Sequence, residues 1–186
     1  LDECPPWPVS EEEAEAALRR TNLWARKARE ASRSSATALF GIAQGSFYPR
    51  LREIAVKELV ELDFEGYALG GVSVGEGTDL SRSTVEEFAP TLPPERPRYL
   101  MGVGTPADIL HAVRSGIDLF DCVLPTRNAR HGVAFIRGAV LRIKNARFRD
   151  DPRPLDEECE CPACRTASRA FIHHLVRSRH QTGAAL

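Results

Sequence analysis

The stretch "RYLMGVGTPADILHAVRSGIDLFDCVLP", residues 98–125, decides the fold class. After Arg98, the residues Tyr99, Leu100 and Met101 are apolar or β-favouring and run into Gly102-Val-Gly104, the pattern of a buried strand that stops at glycine. A helix then starts in good form. Thr105 stands at the cap, Pro106 at the first helical position and Asp108 three residues past the cap, with Gly116 as the stop. "DLFDCVLP" reads as another apolar strand. Strand, helix, strand in so short a span is a crossover unit, and a parallel sheet covered by helices follows from it.

The same grammar extends upstream. "PVSEEEAEAALRRTNLWARKARE" carries a capping box, Ser10 with Glu13, ahead of a long helix. "ATALFGIAQG" is a short apolar run ended by glycine. "YPRLREIAVKELVELDF" places Leu51, Ile54, Ala55, Leu59 and Val60 on one helical stripe. "GYALGGVSVGEG" is a strand leading into a Gly-rich loop, and a shorter helix is expected over residues 80–88. The class is therefore α/β, and periodicity alone does not separate an open sheet from a closed barrel. After Pro125 the texture changes. "VAFIRGAVLRI" predicts a hairpin turning at Arg137-Gly138, followed by a polar loop, a cysteine cluster and a final helix. We accordingly divide the chain into residues 1–125 and 126–186.

Composition excludes several classes. The 186 residues, 42% hydrophobic and 27% charged, belong to a globular chain with a core of its own. No apolar run reaches the roughly 20 residues that span a bilayer, and no secretory leader pattern is present. Five cysteines, three of them bunched, point to a reducing compartment and a metal site rather than a disulfide frame. The chain opens on "LDECPPW" without Met and closes on "QTGAAL" inside an amphipathic segment, the expectation for a piece of a longer protein.

In α/β folds chemistry gathers at the carboxyl ends of the strands. Four such ends are legible: Gln44-Gly45, Gly70-Gly71, Gly102 to Gly104, and Asp121. Read as lying inside an apolar strand, Asp121 is costly to bury unpaired. It either caps a neighbouring loop or serves as a nucleophile or general base at the mouth of the sheet. Residues 127–153 hold eight Lys/Arg against two Asp, in a chain of net charge −1. A solvated face is the ordinary meaning of such a run. Its lopsidedness beside a candidate site fits a phosphate-rich partner better, with Arg127 and Arg130 spaced to fork around phosphates or bases. Cys159, Cys161 and Cys164 form C-x-C-x2-C, three thiolates for one Zn²⁺. With water in the fourth position the ion would be catalytic, and with a protein ligand structural. Thiolate-rich zinc is a poor Lewis acid, which favours the structural role, and His173, His174 and His180 are candidate fourth ligands.

Taken together, "FGIAQGSFYPRLREIAVKELVELDFEGYALGGVSVGE", "PRYLMGVGTPADILHAVRSGIDLFDCVLPTRNARHG", "RDDPRPLDEECECPACR" and "SRAFIHHL" resemble the bacterial tRNA-guanine transglycosylase, or queuine tRNA-ribosyltransferase, family, collinearly over essentially the whole chain. The resemblance implies a (β/α)8 TIM-type barrel, of which this sequence holds roughly the second half, with a zinc-binding insertion near the C-terminus. It implies a cytoplasmic, homodimeric enzyme of queuosine biosynthesis. That enzyme replaces the wobble guanine of tRNAs with GUN anticodons by 7-aminomethyl-7-deazaguanine. Asp121 matches the nucleophile that forms a covalent bond to the ribose. Asp2, Cys4, Gln44, Gly70, Gly71, Glu76 and Met101 match base-pocket positions, with Met101 stacking on the base plane. Val74 matches a position that favours the small bacterial substrate over queuine. Gly102, Val103, Gly104, Thr105, Pro106, Ala107 and Asp108 match one tRNA-contacting segment. Thr126, Arg127, Asn128, Ala129 and Arg130 match another. A further active-site Asp upstream of residue 1 and a fourth zinc ligand, a His beyond residue 186, belong to the same pattern. The resemblance also admits a non-catalytic tRNA-binding partner subunit, or a piece inactive by itself. Asp121, Asp2 and Gln44 speak against the partner subunit, because binding alone does not need them.

Overall fold

The computed structural model describes residues 1–32 and 36–186. Packing divides the chain into two compact units, Leu1–Cys122 and Val123–Leu186.

In the first unit, helix α1 (Glu11–Ser32) precedes strand β1 (Phe40–Ala43), α2 (Pro49–Val60), β2 (Gly66–Leu69), α3 (Thr78–Phe88), β3 (Arg98–Leu100), α4 (Pro106–Arg114) and β4 (Leu119–Phe120). The strands form one parallel sheet in the order β1-β2-β3-β4, with Phe40 opposite Gly66, Tyr67 opposite Arg98 and Tyr99 opposite Leu119. Sequential order is what successive crossover units deliver when each helix returns the chain to the next position. The fold class expected from residues 98–125 is thus an α/β arrangement with a parallel sheet.

The elements form where their local chemistry dictates. Ser10 Oγ accepts from the Glu13 N–H at 3.3 Å while Glu13 reaches back to the Ser10 N–H, closing the predicted capping box. Thr105 caps α4 by accepting from the Asp108 N–H, Pro106 stands at the first turn, and Gly116 leaves the helix at φ +92°. The buried side of α1 is Ala14, Ala17, Leu18, Thr21, Asn22 and Ala25, one helical stripe. On α2 the buried side is Leu51, Arg52, Ala55, Val56 and Leu59. Val60, expected on that stripe, is 39% exposed, whereas Arg52 is completely buried. Leu51, Leu59, Leu69, Leu92 and Leu100 are each at most 1% exposed. Burying such a side chain contributes about 1.5–3 kcal/mol.

One expected strand is corrected. "DLFDCVLP" is extended only at Leu119–Phe120, and the chain then enters helix α5 (Leu124–Arg130) with Pro125 in its first turn. Proline has no N–H for a ladder but has a φ suited to that helical position. Asp121 therefore follows the strand, and it is exposed rather than buried.

The second unit continues from α5 with β5 (Val133–Ile136) and β6 (Ala139–Arg142), then α6 (Pro162–Thr166), α7 (Arg169–Arg177) and α8 (Thr182–Ala185). β5 and β6 pair antiparallel from Val133 with Arg142 to Ile136 with Ala139, so the hairpin turns at Arg137-Gly138 as the sequence indicates. Its core is Leu141, Ile143, Phe148, Ala167, Ile172 and Val176. Asp151 ties it together by accepting from Arg153 and the buried Arg169. Those bonds hold its carboxyl far below the ordinary carboxylate range. Among the described residues, no helix is long and apolar enough to cross a membrane.

Candidate active site and metal centre

Parallel strands bring their carboxyl ends to one edge of the sheet. Each of the four strands of the first unit delivers a sequence-selected residue there. Gln44 follows β1, Gly70 and Gly71 follow β2, Met101 and Gly102 follow β3, and Asp121 follows β4. At about 4.8 Å per strand, three spacings spread this row over roughly 14 Å, enough for a nucleoside with its base at one end.

At the β4 end, the Asp121 carboxylate accepts from Tyr99 Oη at 2.7 Å and from the Gly102 N–H at 3.0 Å. These donors, the tyrosine foremost, lower its pKa, so the group is an exposed anion with fixed orientation. The same bond pushes the Tyr99 hydroxyl up to about 12, which keeps it a donor throughout the neutral range. An ionised, aimed carboxylate at a sheet mouth can attack carbon or take a proton.

At the β1 end, Gln44 is 2% exposed and donates its amide Nε2 to Asp2 Oδ2 at 2.7 Å. A carboxylate only accepts, so this contact fixes which way the amide faces. Gln44 Oε1 is then a buried acceptor without a hydrogen-bond partner among the described residues. A Cβ built at Gly71 would meet that oxygen at 2.6 Å, so it faces the Gly71 backbone. The Cys4 thiol turns toward Gln44 and the Gly71 N–H, and its partial burial pushes its pKa up. The segment bearing Asp2 and Cys4 is anchored on both sides. The Glu3 N–H donates to Thr21 Oγ1 at 2.9 Å, and Trp7 packs edge-on to Phe47 while its N–H donates to the Val74 carbonyl. Glu76 accepts from the Ser73 and Val74 N–H groups at 2.6 and 2.8 Å and so shapes the loop after β2.

Of the segment 102–108, Val103 and Gly104 are buried, while Gly102, Pro106 and Ala107 are exposed. Thr105 and Asp108 are half-buried and hydrogen-bonded to each other, and Asp108 also pairs with Arg82 at 2.7 Å. In the second unit, α5 carries Thr126, Arg127, Asn128, Ala129 and Arg130. Arg127 and Arg130, three apart in its last turn, share one exposed helical face.

The three cysteines also meet. Cys161 stands at the cap of α6 and Cys164 lies within it, and the Sγ atoms of Cys159, Cys161 and Cys164 all lie within 4.8 Å of one another. Thiolates about 2.3 Å from a tetrahedral Zn²⁺ stand roughly 3.8 Å apart, so a small contraction closes this set on an ion. The donor set fits zinc. Among the described residues no histidine joins the cluster. His173 is buried with its Nδ1 on the Ile143 carbonyl at 2.7 Å, and His180 Nδ1 accepts from the Thr182 N–H. Asp156 accepts from the Arg137 and Glu158 N–H groups, tying the hairpin turn to the cysteine loop.

Sequence reading passed over two residues of this site. Tyr99 lies in β3, two residues before the Met101 that the sequence already places at that strand's end, a signal that was available. Arg52 gave none, for a cation on an amphipathic helix reads as solvent-facing.

The family model described as "Queuine tRNA-ribosyltransferase" matches residues 1–186. Among curated proteins, the chain is 50% identical over 186 residues to a queuine tRNA-ribosyltransferase of Thiobacillus denitrificans, covering all of this chain and 51% of the relative. It is 49% identical to that of Thioalkalivibrio sulfidiphilus, covering all of this chain and 50% of the relative. Against that of Synechococcus elongatus it is 51% identical over 187 residues, with all of this chain and 49% of the relative covered. The chain spans about half the length of the curated relatives it matches.

Proposed function

The chain belongs to the queuine tRNA-ribosyltransferase family, and from that membership and the row of strand-end residues we propose that the protein carrying it exchanges a guanine of tRNA for another guanine-type base. The observation that carries the reading is Asp121, an ionised carboxylate held by Tyr99 and Gly102 at the carboxyl end of β4. It lies in one row with Gln44, whose amide nitrogen donates to the Asp2 carboxylate.

In this reading a carboxylate oxygen of Asp121 bonds to the ribose anomeric carbon. The glycosidic bond breaks, and its electron pair leaves with guanine, which takes up a proton from solvent. A ring nitrogen of the incoming base, its proton lost to solvent, then attacks the same carbon and Asp121 departs with the bonding pair. Two displacements retain the configuration, by the logic of retaining glycosidases. Asp2 accepts from the N–H groups of the base edge, Gln44 lies beside it as a further base-binding position, Met101 covers the base face, and Cys4 and Glu76 border the pocket. The segment 102–108, with residues 126–130 of the second unit, contacts the tRNA. The sheet forms part of a (β/α)8 barrel. The nucleotide is the wobble guanine of GUN anticodons, the incoming base 7-aminomethyl-7-deazaguanine, and the protein a cytoplasmic homodimer.

Cys159, Cys161 and Cys164 would hold a zinc ion, with a histidine outside this sequence as the fourth ligand. The ion supplies a cross-link that a short polar loop lacks, not catalysis. Elemental analysis of the full-length protein is expected to find one zinc per chain, lost in Cys161→Ser. Full retention by that variant would remove Cys161 from the ligand set.

The deciding assay follows radiolabelled guanine into unmodified tRNA with the full-length protein. Asp121→Asn is expected to lower the rate by at least about 10³-fold while tRNA binding persists. Undiminished exchange in that variant would overturn the nucleophile. tRNA binding without exchange in the unsubstituted protein would favour a non-catalytic binding subunit instead.

A further inference from the structure

Arg82 stands on α3, outside the row of strand-end residues, yet it is bonded to the segment that holds Asp121. Its Nε and Nη2 both donate to Asp108 Oδ1, at 2.9 and 2.7 Å, while Asp108 Oδ2 accepts from the Thr105 hydroxyl. The Thr105 oxygen in turn accepts from the Asp108 N–H at 3.2 Å. Both oxygens of Asp108 are thus taken, one by α3 and the other by the residue that caps α4. A second bond ties the same two helices. His111 Nε2 lies 3.2 Å from the Arg82 carbonyl, and because a carbonyl only accepts, that nitrogen carries the proton.

Thr105 ends the loop that begins at Gly102, and that loop meets the Asp121 turn at both of its glycines. The Gly102 N–H donates to Asp121 at 3.0 Å, and the Gly102 carbonyl accepts from Cys122 Sγ at 3.7 Å. Gly104 lies so close to Cys122 that an added Cβ would stand 2.2 Å from the cysteine Cβ. Thr105 is the next residue, so a shift there carries straight into the turn that bears Asp121. Packing does not replace the clamp. A cavity of about 100 Å³ lies between α3 and α4, lined by Arg82, Val103, Asp108 and His111 among others. No side chain of the described residues fills it, so on that side the loop forgoes the contacts that close packing supplies. The side chains of Arg82 and Asp108 are 37% and 22% exposed, and an ion pair so open to solvent adds little to stability. What it fixes is position.

We infer that Arg82 is a positioning residue of the exchange reaction, which through Asp108 and Thr105 holds the 102–105 loop against the Asp121 turn. The inference rests on the base-exchange reading and adds to it a determinant of rate that touches neither base nor ribose. A misplacement of about 1 Å at a reacting group costs up to about 10²-fold in rate. Tyr99 still grips Asp121 when the loop loosens, so the loss is a smaller one.

The test measures guanine exchange by the full-length protein at saturating tRNA. Arg82→Gln is expected to lower kcat about tenfold while the KM for guanine stays within about twofold. Its Tm should stay within about 3 °C of the unsubstituted protein, as for the loss of an exposed pair. Arg82→Lys keeps the charge without the fork and should recover most of kcat. In an Asp108→Asn background, Arg82→Gln should lower kcat no further, because both residues act through one contact. An unchanged kcat in Arg82→Gln overturns the inference. So do losses that multiply in the double variant, since Arg82 would then act by a route other than Asp108. A merely structural role would lower Tm and leave kcat of the folded protein intact, which also overturns it. Should Arg82→Gln fail to fold, Asp108→Asn breaks the same pair from the other side, and an unchanged kcat there decides against the clamp. Absence of any exchange in the unsubstituted protein would refute the base-exchange reading itself, a result distinct from all of these.

Discussion

A carboxylate free to rotate is a poor nucleophile, and two donors remove that freedom from Asp121. Tyr99→Phe deletes the stronger one. The folded pKa of Asp121 lies below its ordinary value, so the associated stabilisation is present above about pH 4 and is lost as the pH falls through the depressed folded value. Without the tyrosine hydroxyl that pKa rises toward the ordinary one. The acid limb of kcat/KM in the guanine-exchange assay should move to higher pH in Tyr99→Phe. At pH 7 the carboxylate is ionised in both proteins, and the remaining loss is one of aim. With Gly102 still in place we expect about a tenfold drop in kcat, read from the same pH series. An unmoved acid limb would show that the hydroxyl does not hold the reacting carboxylate. Asp121 itself was legible as an acid at a strand end. Tyr99 was not tied to it, because the two are 22 positions apart and meet only once β3 and β4 pair.

At the scale of elements, the loop after β3 and the turn after β4 pack with almost no clearance. A Cβ added at Gly104 would lie 2.2 Å from Cys122 Cβ, the residue next to Asp121. Backbone-proximal atoms cannot swing away as a long side chain can. Gly104→Ala is therefore expected to shift the Asp121 turn, lowering exchange activity by about 10²-fold or more with a smaller loss in Tm. Cys122→Gly removes the opposing Cβ, so the double variant should recover a substantial part of the activity. No recovery would place the damage elsewhere. Helices with strong local signals, such as α1 and α4 with their caps, were readable, since capping is decided within four residues. The exchange of a strand for a helix after Phe120 was not. Val, Leu and Cys favour either state, and the outcome turned on Pro125 and on where the sheet ends.

For the whole molecule, the proposed tRNA partner raises the question of where a polyanion would meet a chain of net charge −1. The exposed face of α5 offers Arg127 and Arg130 within a tract of eight cations against two acids over residues 127–153. If those side chains meet phosphates, tRNA affinity falls steeply with salt, and each phosphate deprived of its arginine removes about one from the slope of log K against log salt. Fluorescence titration of Arg127→Gln and Arg130→Gln across a salt series should show that decrement with Asp121 left intact. A slope equal to that of the unsubstituted protein would remove these arginines from the tRNA surface.

By itself the sequence determined the alternation of helices and strands, the four strand ends, the spacing of the cysteines and the family, because each is a local pattern or a run of identities. Only the tertiary structure decided that Tyr99 holds Asp121, that Gln44 turns its amide nitrogen to Asp2 and that Arg52 lies buried beneath Gly70 and Gly71. The reason is physical. A side chain's role depends on which partner replaces its lost water, and for Arg52 those partners are four carbonyls that only the folded sheet and its loops bring to one point.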